Sequence, residues 1–91
     1  MLNLVWRESA RRDVKATFEY IAEHNSAAAD RMLSAIEAFA ERLPEHPYMC
    51  RPGRVPGTRE AVVHPNYMLV YRVTTESVEI VKLLHTRQQY P

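Results

Sequence analysis

The chain has 91 residues, 46% of them hydrophobic and 25% charged, and a formal net charge of +1. That length holds one modest core, so residues 1–91 are read as a single domain. The composition excludes a disordered or collagen-like chain. The small net charge argues against nucleic-acid binding by bulk electrostatics alone.

No apolar run approaches the roughly 20 residues of a membrane-spanning helix. No secretory signal precedes Leu2, and the single cysteine, Cys50, has no partner for an internal disulfide. A cytoplasmic protein with no membrane partner is expected. Charge is uneven: residues 1–50 carry six Lys/Arg against eight Asp/Glu, and residues 51–91 carry six against three. Positive potential therefore gathers on the second half, where it can steer an anionic partner.

In chain order, Leu2, Leu4 and Trp6 alternate with Asn3, Val5 and Arg7, which predicts a first strand with one buried face. Ser9 is the expected N-cap of a helix whose apolar stripe is Ala10, Val14, Phe18, Ile21 and Ala22, with Asp13 in its first turn. Asn25 is read as the terminator and Ser26 as the cap of a second helix, Ala27 to Leu43, with Ala29, Met32, Leu33, Ile36, Phe39, Ala40 and Leu43 on its apolar side. Pro44 and Pro47 stop it. Glu45 to Gly57 is read as a long loop.

Three strands follow: Thr58 to Val63, Tyr67 to Val73 and Val78 to Leu84, joined by turns at His64-Pro65-Asn66 and Thr74 to Ser77. Tyr67 to Tyr71 is nearly continuous in apolar character and should lie centrally in the sheet. The order is β-α-α-β-β-β, an α+β domain with a helix hairpin packed on a small antiparallel sheet.

The histidines and Cys50 show no short-range metal-ligand spacing, and no Gly-rich phosphate loop or nucleophile elbow is present. Neither a metal nor a cofactor is expected. What remains is a cationic and aromatic set, Arg59, Arg72, Arg87, His64, His85 and Tyr90. Such groups could cut RNA without a metal: histidines move protons at the 2′-hydroxyl and the leaving oxygen, arginines hold phosphate, and Tyr90 or Tyr67 stacks on a base. The structural alternative is cross-strand pairing of Arg59 and Arg72 with Glu60, Glu76 or Glu79, a turn role for His64, and a backbone-bonded His85.

Several stretches together resemble the RelE/ParE superfamily, the toxins of bacterial type II toxin–antitoxin systems. They are the opening strand into Ser9-Ala-Arg-Arg-Asp-Val, the pair Phe18-Glu-Tyr-Ile-Ala and Ala28-Ala-Asp-Arg, Val55-Pro-Gly-Thr-Arg-Glu60, Tyr67-Met-Leu-Val-Tyr-Arg-Val73, and Leu83-Leu-His-Thr-Arg-Gln-Gln-Tyr-Pro91. The resemblance implies a toxin neutralised by a cognate antitoxin, touching operator DNA only through that antitoxin. It implies one of two targets: DNA gyrase for ParE-like members, or the ribosome and its mRNA for RelE-like nucleases.

In the nucleases a catalytic arginine directly follows the first aromatic of the segment matching Tyr67 to Tyr71; here that residue is Met68, and a second basic position falls on Ala61. The resemblance therefore leans to ParE, with Arg59, Arg72, His85 and Arg87 as the target-binding surface. Under the nuclease alternative the catalytic set would be His85, Arg87, Arg59, Tyr90 and His64.

Overall fold

The computed structural model describes residues 1–88. Its elements are β1 (Asn3–Trp6), α1 (Glu8–Ala22), α2 (Ser26–Arg42), β2 (Arg51–Pro52), β3 (Arg59–His64), β4 (Tyr67–Val73) and β5 (Ser77–His85). The strands form one sheet in the order β1-β5-β4-β3-β2. The expected order gains a strand, because the long loop contains the two-residue β2.

Both helices contribute to one core. Ala10 of α1 and Met32, Ile36 and Ala40 of α2 pack with Ala61, Leu69, Tyr71, Val78, Ile80 and Leu83 of the sheet. Met68, Val70 and Leu84 form a separate cluster, because alternate residues of a strand point to opposite faces. The two sets explain the unbroken apolar run in β4: Met68, Leu69, Val70 and Tyr71 are all buried, two toward the helices and two away from them.

The sheet is mostly antiparallel, with one exception. β1 joins β5 in parallel, pairing Leu4 with Val78 and Trp6 with Ile80. Alternation in β1 fixes which face is buried and says nothing of which edge it joins.

β1 is too short to satisfy the outer edge of β5, and α1 completes it. The Ser9 hydroxyl donates to the Val81 carbonyl at 2.7 Å, and the Leu83 N–H donates to Asp13 Oδ2 at 3.1 Å. Ser9 is thus not the N-cap; Arg7 holds that position without a side-chain bond. At α2 the cap lies one residue earlier than expected: Asn25 Oδ1 accepts the Ala28 N–H at 3.0 Å, and Ser26 is already helical.

The motif Val55-Pro-Gly-Thr-Arg-Glu60 builds the bend before β3. Thr58 N–H donates to Val55 O at 3.1 Å, and Gly57 has φ +84°, the positive value that the third residue of a type II turn requires after proline. Gly53 N–H donates to Thr58 O at 2.7 Å, and a Cβ on Gly53 would collide with the Thr58 hydroxyl. Both glycines are consequences of that geometry.

Candidate functional site

The cationic residues singled out in the sequence separate into two groups. Arg59 pairs in register with Tyr71 and Arg72 pairs with Glu79, at the end of β4 remote from the β3–β4 turn. Tyr67 pairs with both His64 and His85 at the other end of β4. Five residue steps along the strand take Tyr67 to Arg72, about 17 Å. Arg59, Arg72, His85 and Arg87 therefore do not form one continuous rim.

Arg59 and Arg72 also occupy opposite faces. Arg59 reaches toward the helix side, where Nη1 donates to Cys50 O at 2.6 Å and the guanidinium lies 4.9 Å from the Tyr48 ring centroid. Tyr71, fully buried beside it, donates its hydroxyl to Pro47 O at 3.0 Å. Burial, then the neighbouring Cys50, pushes the Tyr71 phenol far above the ordinary tyrosine value. Arg59 and Tyr71 together pin the Pro47–Cys50 segment to the sheet. The cross-strand partner considered for Arg59 is absent, because Glu60 turns the other way. Glu60 is buried, accepts the Arg54 N–H at 2.9 Å and pairs with Arg51 at 3.3 Å.

Arg72 makes the expected cross-strand pair, its Nη2 lying 3.9 Å from Glu79 Oε1. Sequence reasoning missed the second arginine there: Arg7 Nη1 approaches the same oxygen at 3.4 Å. Only the parallel pairing of β1 with β5 brings Arg7 within reach, so no local signal could have revealed it.

At the far end, His64, Tyr67 and His85 form a row across three strands. The His64 and Tyr67 ring centroids are 5.5 Å apart, and those of Tyr67 and His85 are 5.4 Å apart. Both histidines are fixed by the same local turn. His64 Nδ1 accepts the Asn66 N–H at 3.1 Å, and His85 Nδ1 accepts the Arg87 N–H at 3.1 Å. A neutral imidazole has one N–H and one lone pair. With Nδ1 occupied as acceptor, each ring carries its proton on Nε2 and offers a donor outward. Neither presents a lone pair to a substrate without first breaking a backbone hydrogen bond. The row is built to donate hydrogen bonds, and is poorly arranged as a pair of general bases.

Arg87 is exposed just beyond this row, and Tyr90 lies outside the described residues. Met68, where a nuclease arginine would stand, is 1% exposed and packs with Val70 and Leu84. Among the described residues no group of three His, Cys, Asp or Glu side chains could hold a metal ion, and no helix is long and apolar enough to cross a membrane.

A second concavity lies on the helix side. Trp6, Val14, Phe18 and Leu33 line a groove of about 420 Å³ with Arg11, Lys15 and Glu37 around it. It has an apolar floor and a charged border, the lining expected where an amphipathic segment docks.

This two-layer fold is that of the RelE/ParE toxins. A chromosomal ParDE toxin–antitoxin system from P. aeruginosa superposes with a TM-score of 0.84 at 20% identity, over 93% of this chain and 96% of that one. The RelBE2 toxin–antitoxin complex of Mycobacterium tuberculosis superposes at 0.67 with 26% identity, over 92% and 96%. The family described as ParE toxin of type II toxin-antitoxin system, parDE, matches residues 4–90, and the chain belongs to that family. It is also similar to a protein named toxin RelE2 of Caulobacter vibrioides, 34% identical over 85 residues that cover 93% of this chain and 96% of the relative. Toxin Y4kP of Sinorhizobium fredii is likewise 34% identical, over 87 residues that cover 94% and 90%.

Proposed function

We propose that this type II toxin acts by inhibiting DNA gyrase in the cytoplasm and is silenced by a cognate antitoxin. The observation that carries the reading is the state of the two histidines. Their Nδ1 atoms each accept a backbone N–H, so among the described residues neither histidine offers a ready proton acceptor for RNA cleavage. Met68 supports it from the same end of the sheet: a buried thioether offers no charge to a phosphorane-like transition state. The ParE family match points the same way. Under this reading the half-buried His64 and His85 and the exposed Arg87 contact the target, Arg72 adds charge on the other face, and Arg59 contributes by holding the Pro47–Cys50 segment in place.

The antitoxin is assigned to the helix-side groove, where an amphipathic helix would seat its apolar face on Trp6, Val14, Phe18 and Leu33. Neighbouring folds were solved as toxin–antitoxin assemblies, among them the RelBE2 complex.

The second reading, ribosome-dependent mRNA cleavage, draws on the likeness to toxin RelE2 and on the proximity of His85 to Tyr67. One experiment separates the two. Purified protein is added to a gyrase supercoiling reaction and to a translation reaction followed by primer extension on the mRNA. Loss of supercoiling with intact mRNA is expected; cut codons with untouched supercoiling would overturn the proposal. His85→Ala sharpens the result. It should keep at least about a third of the inhibitory potency, whereas loss of a proton-transfer group lowers a cleavage rate by roughly 10²–10⁴.

A further inference from the structure

The sheet face away from the helices carries a cationic surface whose parts lie far apart in sequence. Val5, Glu79 and Arg72 stand in register across β1, β5 and β4. Glu79 sits between two guanidinium groups, Arg7 from the β1 side at 3.4 Å and Arg72 from the β4 side at 3.9 Å. Both arginines are about half exposed, at 54% and 52%, while the Glu79 side chain is 19% exposed. Lys82 follows along β5, opposite Val70, and is exposed. The face also bears Arg51 and Arg54 around buried Glu60, so five cations meet two carboxylates in a chain whose net charge is only +1. The helix side and the loops carry the compensating negative charge.

The carboxylate of Glu79 does two things here. It neutralises part of the charge of both arginines, accepting from Arg7 Nη1 at 3.4 Å and lying 3.9 Å from Arg72 Nη2. It also takes only a fraction of the five N–H groups each guanidinium has. The remaining donors can receive carboxylates in the planar, two-bond manner that arginine favours. Val5, 39% exposed, and Val62, 57% exposed, give apolar contact at either side of the face. Arginine with scattered apolar side chains is the mixture found at protein interfaces.

We infer that the Arg7–Glu79–Arg72 cluster, with Lys82 and Val5, is the surface that captures an acidic protein segment of the target. The inference rests on the gyrase reading and adds to it a second contact face, beyond the His64–His85 end, and the chemistry of what is bound there. It predicts that encounter is electrostatically steered, with an association rate that falls as salt rises. Glu79 opposes the steering, so its removal should speed association.

The test uses full-length toxin immobilised on a sensor and purified gyrase holoenzyme in solution, at low and high salt. The double variant R7E/R72E should associate roughly tenfold more slowly than wild type at low salt, and Glu79→Gln about twofold or more faster. Both differences should shrink at high salt. The three side chains are surface-exposed or partly so, and thermal unfolding of each variant verifies that the fold is retained. If wild type fails to bind gyrase at all, the gyrase reading falls and takes the inference with it. If wild type binds but R7E/R72E associates equally fast, only the inference falls. It is overturned too if Glu79→Gln slows association as the arginine changes do, since that marks a structural role. Equal sensitivity of binding to a short DNA duplex without gyrase would assign the surface to nucleic acid and overturn it.

Discussion

Removing the Tyr71 hydroxyl should change how stability responds to alkali, and the structure fixes both sign and size. Tyr71 is fully buried and donates to Pro47 O at 3.0 Å. Burial and the adjacent Cys50 keep the folded phenol protonated far above the ordinary range, whereas in the unfolded chain it titrates near about 10. Below pH of about 10 both states hold the proton and the contribution of the residue is complete. Above it the unfolded chain releases a proton that the folded chain keeps, so stability falls by about 1.4 kcal/mol per pH unit.

Wild type at pH 11 should therefore have lost about 1.4 kcal/mol through this residue relative to neutral pH. Tyr71→Phe cannot lose it. At pH 7 the variant should be less stable by about 1–2 kcal/mol, the value of one buried hydrogen bond and the carbonyl left behind. By pH 11 that gap should have closed by about 1.4 kcal/mol. Urea unfolding of both proteins at pH 7, 9 and 11 reads this directly. Parallel loss of stability in the two proteins across that range would refute the reasoning, because it would show that Tyr71 ionises as easily folded as unfolded.

Glu60→Ala should lower stability by about 2–3 kcal/mol, a melting temperature drop of roughly 10–15 °C, because it unbinds the Arg54 N–H and Arg51 together; calorimetry showing a change under about 2 °C would contradict this. Asn25→Ala should cost about 1 kcal/mol by uncapping α2 at the Ala28 N–H, read as a shift in the urea midpoint with unchanged slope. Leu33→Ala, in the helix-side groove, should weaken antitoxin binding by about 10-fold or more in titration calorimetry while leaving gyrase inhibition unchanged. Equal antitoxin affinity for the variant would place the antitoxin elsewhere.

Both helices and every strand but β2 were legible in the sequence because local physics produces their patterns: one apolar stripe per helix, alternation in the first strand, and an uninterrupted apolar run for the central one. The turn at Pro56-Gly57 fell inside the stretch read as a loop, although its cause is local, since only the φ +84° residue needs the freedom of glycine. The family resemblance was readable for the same reason, as the motif Val55-Pro-Gly-Thr-Arg-Glu60 lies within one bend. Its role was not. Arg59 and Glu60 point to opposite sides of the sheet and make contacts nine residues back in the chain, so their partners belong to the loop that folds over them.

What only the tertiary structure decided was which charges meet. The sequence determined that cations collect in the second half; it left open the parallel placement of β1 against β5, and with it the arrival of Arg7 beside Glu79 and Arg72. It supplied His64 and His85 as titratable candidates, but the turns at Asn66 and Arg87 decided that both rings offer N–H rather than a lone pair. Periodicity sets which side of an element is buried. Electrostatic and proton-transfer roles depend on distances between elements, and those follow from strand order, register and loop closure, which no local pattern encodes.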